Sequence, residues 1–152
     1  RPANIYGPND RFDLEKSHVL AAIVTKVLTA QNGKFTLWGN GSEEKDLLYV
    51  SDLVDLVELC LENQKEPLAT FNAGSDELIS IRDLAQKILT LSGRNLATEW
   101  DLRGPTASTN ILLNNALTKH LLGWSRKIAL EQGITETINW FRQNQLGGKS
   151  GD

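Results

Sequence analysis

The chain opens with RPANIYGPNDRFDLEKSH, residues 1–18, a stretch that predicts the end of a strand followed by a loop. Gly7-Pro8 and Asn9-Asp10 end the strand, because Gly accepts positive φ, Pro fixes φ, and Asn and Asp side chains close turns on their own backbone. Ser17 then predicts the cap of a helix. Ligands of α/β proteins bind in loops that follow the carboxyl ends of strands, so we expect a functional site here.

The composition narrows the class of protein. Its 152 residues suit one domain with a substantial core, and hydrophobic residues make up 40% of them. No apolar run approaches the ~20 residues that cross a bilayer, and no targeting pattern stands at the amino end. A net charge of −3 argues against a nucleic-acid partner. We therefore expect a soluble, cytoplasmic protein that binds neither membrane nor nucleic acid.

The single cysteine, Cys60, excludes an internal disulfide and a Cys-rich metal site, and no metal is predicted. It fits a reducing compartment and a small apolar role in a helix. The chain contains no methionine and begins on Arg1 within what resembles the middle of a domain, which predicts a fragment of a longer protein. The domain is predicted over residues 1–145, and the tail 146–152 is predicted to be disordered.

Helical and extended patterns alternate along the chain. Helices are predicted over about 17–30, 51–63, 80–93, 115–121 and 130–144, and strands over 34–37, 46–50, 70–73 and 97–100. Ser51 is expected to cap the second helix, and Ser80, with Asp83 three residues later, the third. The second helix is expected to face the core with Leu53, Leu56, Val57, Cys60 and Leu61. These few strands predict an α/β protein with less than a full nucleotide-binding sheet.

Several motifs stand in a fixed order along the chain: RPANIYGP (1–8), SHV (17–19), LWGNG (37–41), LLYVSDL (47–53), FNAG (71–74), IRDLA (81–85) and LGW (122–124). In that order they resemble the extended short-chain dehydrogenase/reductases that act on nucleotide sugars, the NAD-dependent epimerase/dehydratase family, and particularly its GDP-L-fucose synthase branch. The resemblance implies a partial fold, with a C-terminal substrate-binding lobe and the last strands of an NAD(P)-binding Rossmann-like sheet.

Such enzymes epimerise and then reduce the 4-keto-6-deoxy sugar of a GDP-sugar, with NADP or NAD as the cofactor. Two of the family's motifs are missing from this chain. The turn at 39–41 lacks the third glycine of a dinucleotide fingerprint, and neither Tyr6 nor Tyr49 is followed by a lysine four residues later. The resemblance therefore implies that an N-terminal Rossmann lobe is missing, and that this chain alone binds no cofactor tightly.

The resemblance also assigns roles to individual residues. His18, in the Ser-His-Val motif, would protonate the sugar during epimerisation, although a lone histidine is more often structural or at the surface. Pro2 and Asn4 would lie beside the nicotinamide. Lys26 and Lys45 stand where the GDP-L-fucose synthase pattern has arginines, which line the nucleotide sugar.

Alternatives stay open for several of these residues. The two lysines are equally compatible with a solvated surface, and Trp38 either covers a sugar or base, or belongs to the core. The family's basic pair near the penultimate helix is replaced by Thr-Asn-Ile-Leu-Leu-Asn at 109–114. Arg103 is nearby and could compensate for the lost positive charge.

Three alternatives stay open for the whole protein. It would be a GDP-L-fucose synthase-like enzyme and possible homodimer, an epimerase or dehydratase for another nucleotide sugar, or a noncatalytic binding module.

Overall fold

The structure is a computed structural model that describes residues 1–104 and 110–147. The strands are β1 Asn4–Tyr6, β2 Lys34–Trp38, β3 Glu44–Lys45, β4 Leu47–Tyr49, β5 Ile79–Ser80 and β6 Ala97–Asp101. The helices are α1 Val19–Thr29, α2 Val50–Asn63, α3 Ile81–Ser92, α4 Ala116–Leu122 and α5 Leu130–Phe141, which runs on as a π-helical turn, Arg142–Leu146. None of the helices described has both the length and the apolar character that a bilayer span requires.

The strands pair in twos. β1 pairs with β4 and β2 with β6, both in parallel, while the short β3 and β5 are antiparallel. Parallel pairs need long crossover connections, and here helices supply them. The alternation confirms the predicted α/β construction, and within the described ranges the strands form separate two-stranded pairs in place of one continuous sheet.

The main core lies among three helices, because α3 packs against both α1 and α5. Its fully buried side chains come from all three, at helical spacing: Leu20, Val24, Val27, Leu84, Ile88, Ile134 and Ile138. A smaller cluster joins Leu48, Leu56, Ala73 and Trp124. The main core fixes the direction of α1. It therefore also fixes the positions of the residues at the two ends of this helix.

Two predicted caps are wrong. α1 begins at Val19 after His18 in extended conformation, because Ser17 belongs to the preceding turn, where its N–H donates to the Asp13 carbonyl at 2.9 Å. α2 begins at Val50, since Tyr49 is held extended by its pairing with Tyr6 in β1, and Ser51 lies inside the helix. The predicted cap at Ser80 is confirmed, because its hydroxyl oxygen accepts from the Asp83 N–H.

The predicted strand at 70–73 is wrong. This segment makes a single parallel bridge, between Pro2 and Ala73. Its partners are the first residues of the chain: the Ala3 N–H donates to Ala73 O at 2.8 Å and the Ala73 N–H to Arg1 O at 3.0 Å. Strand structure needs a partner along its length, and so short a contact supports only one bridge.

The predicted core face of α2 is only partly correct. Leu56 is buried, and Leu53 and Cys60 are half-buried, whereas Val57 is 50% and Leu61 82% exposed. The helix packs on β1, β4 and α4 with one side only, so the apolar stripe is wider than the surface that covers it.

The carboxyl end also differs from the prediction. The last helix changes from α to π geometry at Arg142, where the guanidinium donates to Ser92 O at 2.5 Å. Leu146, the first residue of the predicted disordered tail, belongs to the π-helical turn. Residues 148–152 lie outside the described part of the chain, as does Thr109 of the 109–114 segment.

Candidate functional site

His18 is the residue immediately before α1. Its side chain is 70% exposed, and its Nδ1 lies 3.5 Å from Asp10 Oδ1. Asp10 is fixed by the loop that the sequence predicted, since its N–H donates to Gly7 O at 3.3 Å. The exposed imidazole therefore lies beside a carboxylate that the loop holds in place.

Lys26 and Trp38 come together from two elements. Lys26, in the last turn of α1, places Nζ 5.8 Å from the ring centroid of Trp38 at the end of β2, within the range of a cation–π contact. The same ammonium donates to Thr36 O at 2.8 Å, and burial lowers the pKa of Lys26. Trp38 is 63% exposed. Lys26 and Trp38 therefore form a cationic and aromatic surface, and the core alternative for Trp38 is wrong.

Two further predicted cations are engaged by carboxylates. Lys45 forms an ion pair with Glu43. Arg103 donates to both oxygens of Asp101, from Nε at 2.9 Å and from the terminal nitrogen at 3.1 Å, and this contact lowers the pKa of the Asp101 carboxyl. A phosphate would have to compete with these carboxylates for either cation.

The end of the β2–β6 pair gathers three of these residues. Trp38 stands opposite Asp101 in the register, and the Gly39 N–H donates to Asp101 O at 2.9 Å. Next to it lies an open depression of about 680 Å³, lined by Thr36, Glu99, Trp100, Asp101 and Arg103. Trp38, Asp101 and Arg103 therefore share one end of this pair of strands.

Pro2 and Asn4 lie at the start of the chain and of β1. Pro2 makes the bridge to Ala73, and the Asn4 side-chain amide donates to Asp46 O at 3.0 Å. The Asn4 nitrogen is thus used to hold β1 against the residue before β4. A ligand beside Asn4 would meet the remaining amide oxygen.

Helix α1 relates three of the predicted residues to one another. His18 immediately precedes α1 and Lys26 lies in its last turn, and eight residues of α-helix span about 12 Å, so α1 connects His18 to the Lys26–Trp38 surface. Lys45 and Arg103 make no hydrogen bond or ion pair with His18 or Lys26 within the described ranges. Nor does any trio of His, Cys, Asp or Glu side chains assemble there as metal ligands would.

Among the buried or nearly buried carboxylates that the sequence analysis missed are Asp10 and Asp46. Asp10 was identified only as a turn residue, and a carboxylate eight residues before a histidine is not a motif. Asp46 is 1% exposed and accepts from the Ser75 N–H and hydroxyl, both at 2.7 Å, and from the Leu113 N–H at 3.1 Å. Nothing local in the sequence marks Asp46, because its donors lie far along the chain.

Comparison with known proteins shows similarity to one family of enzymes. Residues 1–74 match the NAD dependent epimerase/dehydratase family. GDP-L-fucose synthase 1 of Arabidopsis thaliana is 34% identical over 146 residues, which cover 94% of this chain and 45% of that protein. GDP-L-fucose synthase of Escherichia coli K12 is also 34% identical, over 95% of this chain and 48% of that protein.

A solved structure of a similar protein supports the similarity that the sequences show. The GDP-L-fucose synthetase of Naegleria fowleri bound to NADP superposes with a TM-score of 0.87 at 26% identity, over 95% of this chain and 44% of that one. The chain thus spans about half the length of the relatives it matches. In sequence and in fold, and along almost all of its residues, the chain is similar to GDP-L-fucose synthases, and residues 1–74 match the NAD-dependent epimerase/dehydratase family.

Proposed function

We propose that the chain is the C-terminal, substrate-binding part of an NAD(P)-dependent enzyme that epimerises and reduces the 4-keto-6-deoxy sugar of a GDP-sugar. The observation that carries the proposal is the similarity to GDP-L-fucose synthases along nearly the whole chain. The exposed imidazole at the start of α1 supports it, since epimerisation next to a keto group needs a proton donor near working pH.

The proposed roles follow the geometry of α1. His18 returns a proton to the sugar carbon beside the keto group. Lys26 and Trp38 hold the nucleotide sugar, with the indole offering an aromatic face and the ammonium a positive charge. Lys45 and Arg103 reach the diphosphate when it displaces Glu43 and Asp101. A lysine attracts phosphate as a point charge and lacks the bidentate fork of arginine.

The residues of this chain that would face NADP or NAD are Pro2 and Asn4. The cofactor supplies hydride for the reduction. Tight binding of its diphosphate calls for a glycine-rich turn at a helix N-terminus, and the turn at 39–41 does not continue into such a helix in the described structure. The N-terminal Rossmann lobe of the complete, cytoplasmic enzyme would contain that site, and the exposed apolar side chains of α2 support a surface that meets it.

The test is His18→Gln in the complete protein, with His120→Gln as the matched control. His120 is the chain's other histidine and is exposed in α4. Incorporation of solvent deuterium into the sugar measures epimerisation, and oxidation of NADPH measures reduction separately. We expect His18→Gln to slow epimerisation by about 10² to 10⁴, the range for a placed acid, and to affect hydride transfer less. Exchange at the parent rate would show that His18 is not the acid.

A panel of nucleotide sugars separates the remaining alternatives. Turnover of a UDP- or dTDP-sugar in preference to a GDP-sugar would assign another epimerase or dehydratase of the same family. Binding of a nucleotide sugar by the complete protein without exchange or reduction would assign a noncatalytic module. Turnover with a GDP-4-keto-6-deoxy sugar is the result we expect.

A further inference from the structure

We infer that Asp10 is a positioning residue for His18. Its carboxylate accepts the Nδ1–H of the imidazole and leaves Nε2 as the atom that transfers the proton. The inference rests on the proposed function in one respect, the acid role of His18. The pairing of the two side chains stands on geometry.

Asp10 is held firmly before any ligand binds. Asn9 adopts the left-handed region, with φ of 64°, and the turn closes from Asp10 N–H to Gly7 O. The Arg11 N–H donates to Asp10 Oδ1 at 2.7 Å. The Asp10 side chain is 11% exposed, so the carboxylate has little freedom to turn towards water.

The second oxygen of Asp10 needs a donor. Oδ2 is buried and, among the residues that the structure describes, has no hydrogen-bond partner. Buried polar atoms are nearly always paired, and an unsatisfied charged oxygen is costly. His18 lies beside the same carboxylate, with Nδ1 at 3.5 Å from the other oxygen, Oδ1.

The distance between His18 Nδ1 and Asp10 Oδ1 fits a hydrogen bond that shortens during the reaction. Hydrogen bonds of catalytic groups are often long in free enzymes and shorten in the complex, and the imidazole of His18, 70% exposed, has room to move. With Nδ1–H on Asp10, Nε2 is the ring nitrogen that remains for the substrate. A hydrogen bond at one ring nitrogen sets the role of the other.

The proton transfer then balances. Protonated His18 gives the Nε2 proton to the carbon of the enolate, whose electron pair forms the new C–H bond as the keto group is restored. The ring is left neutral, with its remaining proton on Nδ1 and bonded to Asp10. Solvent returns a proton to Nε2 for the next turnover.

The direct test is the tautomer of His18 in the 152-residue chain, measured by long-range ¹⁵N–¹H correlation at about pH 9, where imidazole is neutral. The chain has two histidines, so His120 is an internal reference. We expect His18 to carry its proton on Nδ1, and to lose that signal in Asp10→Ala and Asp10→Asn. An Nε2–H tautomer in the parent chain, or a tautomer unchanged by both substitutions, would overturn the inference.

The control variant is Asp13→Asn. Asp13 is a carboxylate of the same loop that accepts from the Lys16 N–H at 2.9 Å, so the substitution perturbs the loop without removing Asp10. Asp10→Asn keeps an oxygen for the Arg11 N–H and guards against loss of the turn. We expect Asp13→Asn to leave the His18 tautomer as it is, and a change as large as that of Asp10→Asn would attribute the effect to the loop.

Kinetics of the complete protein separate this inference from the proposed function. We expect Asp10→Asn to slow epimerisation about tenfold or more, less than the loss from His18→Gln, with an unchanged KM for the GDP-sugar. If His18→Gln slows epimerisation and Asp10→Asn does not, the inference is wrong and the proposed function stands. If His18→Gln has no effect, both are wrong.

Discussion

Helices α2 and α3 carry apolar residues at the same spacing, yet the two helices bury these residues to different extents. α3 buries every member of its predicted stripe: Ile81, Leu84, Ala85, Ile88 and Leu89. Of the equivalent stripe in α2, Leu56 alone is buried, and Leu61 is 82% exposed. Periodicity in the sequence therefore predicts which side of a helix is apolar. Whether that side is buried depends on the elements that pack against it.

The surroundings of the two helices explain the difference. α3 lies between α1 and α5, so its stripe meets apolar side chains on both sides. The outer part of the α2 stripe instead faces a groove of about 480 Å³, whose other walls include Arg1, Ala69 and Phe71. Apolar surface in such a groove stays in contact with water, and contributes little to the stability of this chain.

The largest expected difference between the two helices is in core truncation. Ile88→Ala in α3 removes a side chain with 0% exposure and should lower the free energy of unfolding by about 2 to 5 kcal/mol. Leu61→Ala is the matched change in α2 and should stay within about 0.5 kcal/mol. Urea unfolding of both variants measures this, and a loss from Leu61→Ala equal to that from Ile88→Ala would show that the α2 face is buried.

A smaller difference is expected at the helix starts. Ser80 Oγ accepts from the Asp83 N–H at 3.0 Å and donates to the Asp83 carboxylate at 2.7 Å, whereas Ser51 lies inside α2 and caps nothing. Ser80→Ala should therefore destabilise the fold by about 1 kcal/mol, and Ser51→Ala by about 0.5 kcal/mol or less. Thermal unfolding of the pair decides it, and equal losses would contradict the assigned caps.

Local signals predicted the helices well and the short strands poorly. Ser80, Gly93 and the apolar residues between them specify α3 through neighbouring residues, so its bounds were predictable. β3 and β5 escaped, because each has two residues and their pairing depends on contacts between positions 44 and 80. The false strand at 70–73 has the same cause, since strand-forming residues do not reveal whether a partner is present.

In the candidate site, too, some features could be predicted from the sequence and others could not. His18 and Trp38 could be selected from motifs, because the family resemblance covers both. The contact between Lys26 and Trp38 could not, since it joins the last turn of a helix to the end of a strand. The ion pairs of Lys45 and Arg103 were not predicted either, although their carboxylates lie two residues away in sequence. Sequence therefore indicated which residues matter more reliably than what they contact.

The most direct test of the proposed substrate site is a titration of the 152-residue chain with guanosine diphosphate, followed by the indole N–H signals of its tryptophans. We predict that Trp38 shifts saturably, while the buried Trp124, 2% exposed, stays in place. Lys26→Ala should weaken binding by about tenfold or more, as loss of a hydrogen bond to a charged group does, and the exposed Lys65→Ala should not. An unmoved Trp38, or equal affinity in the two lysine variants, would contradict the account.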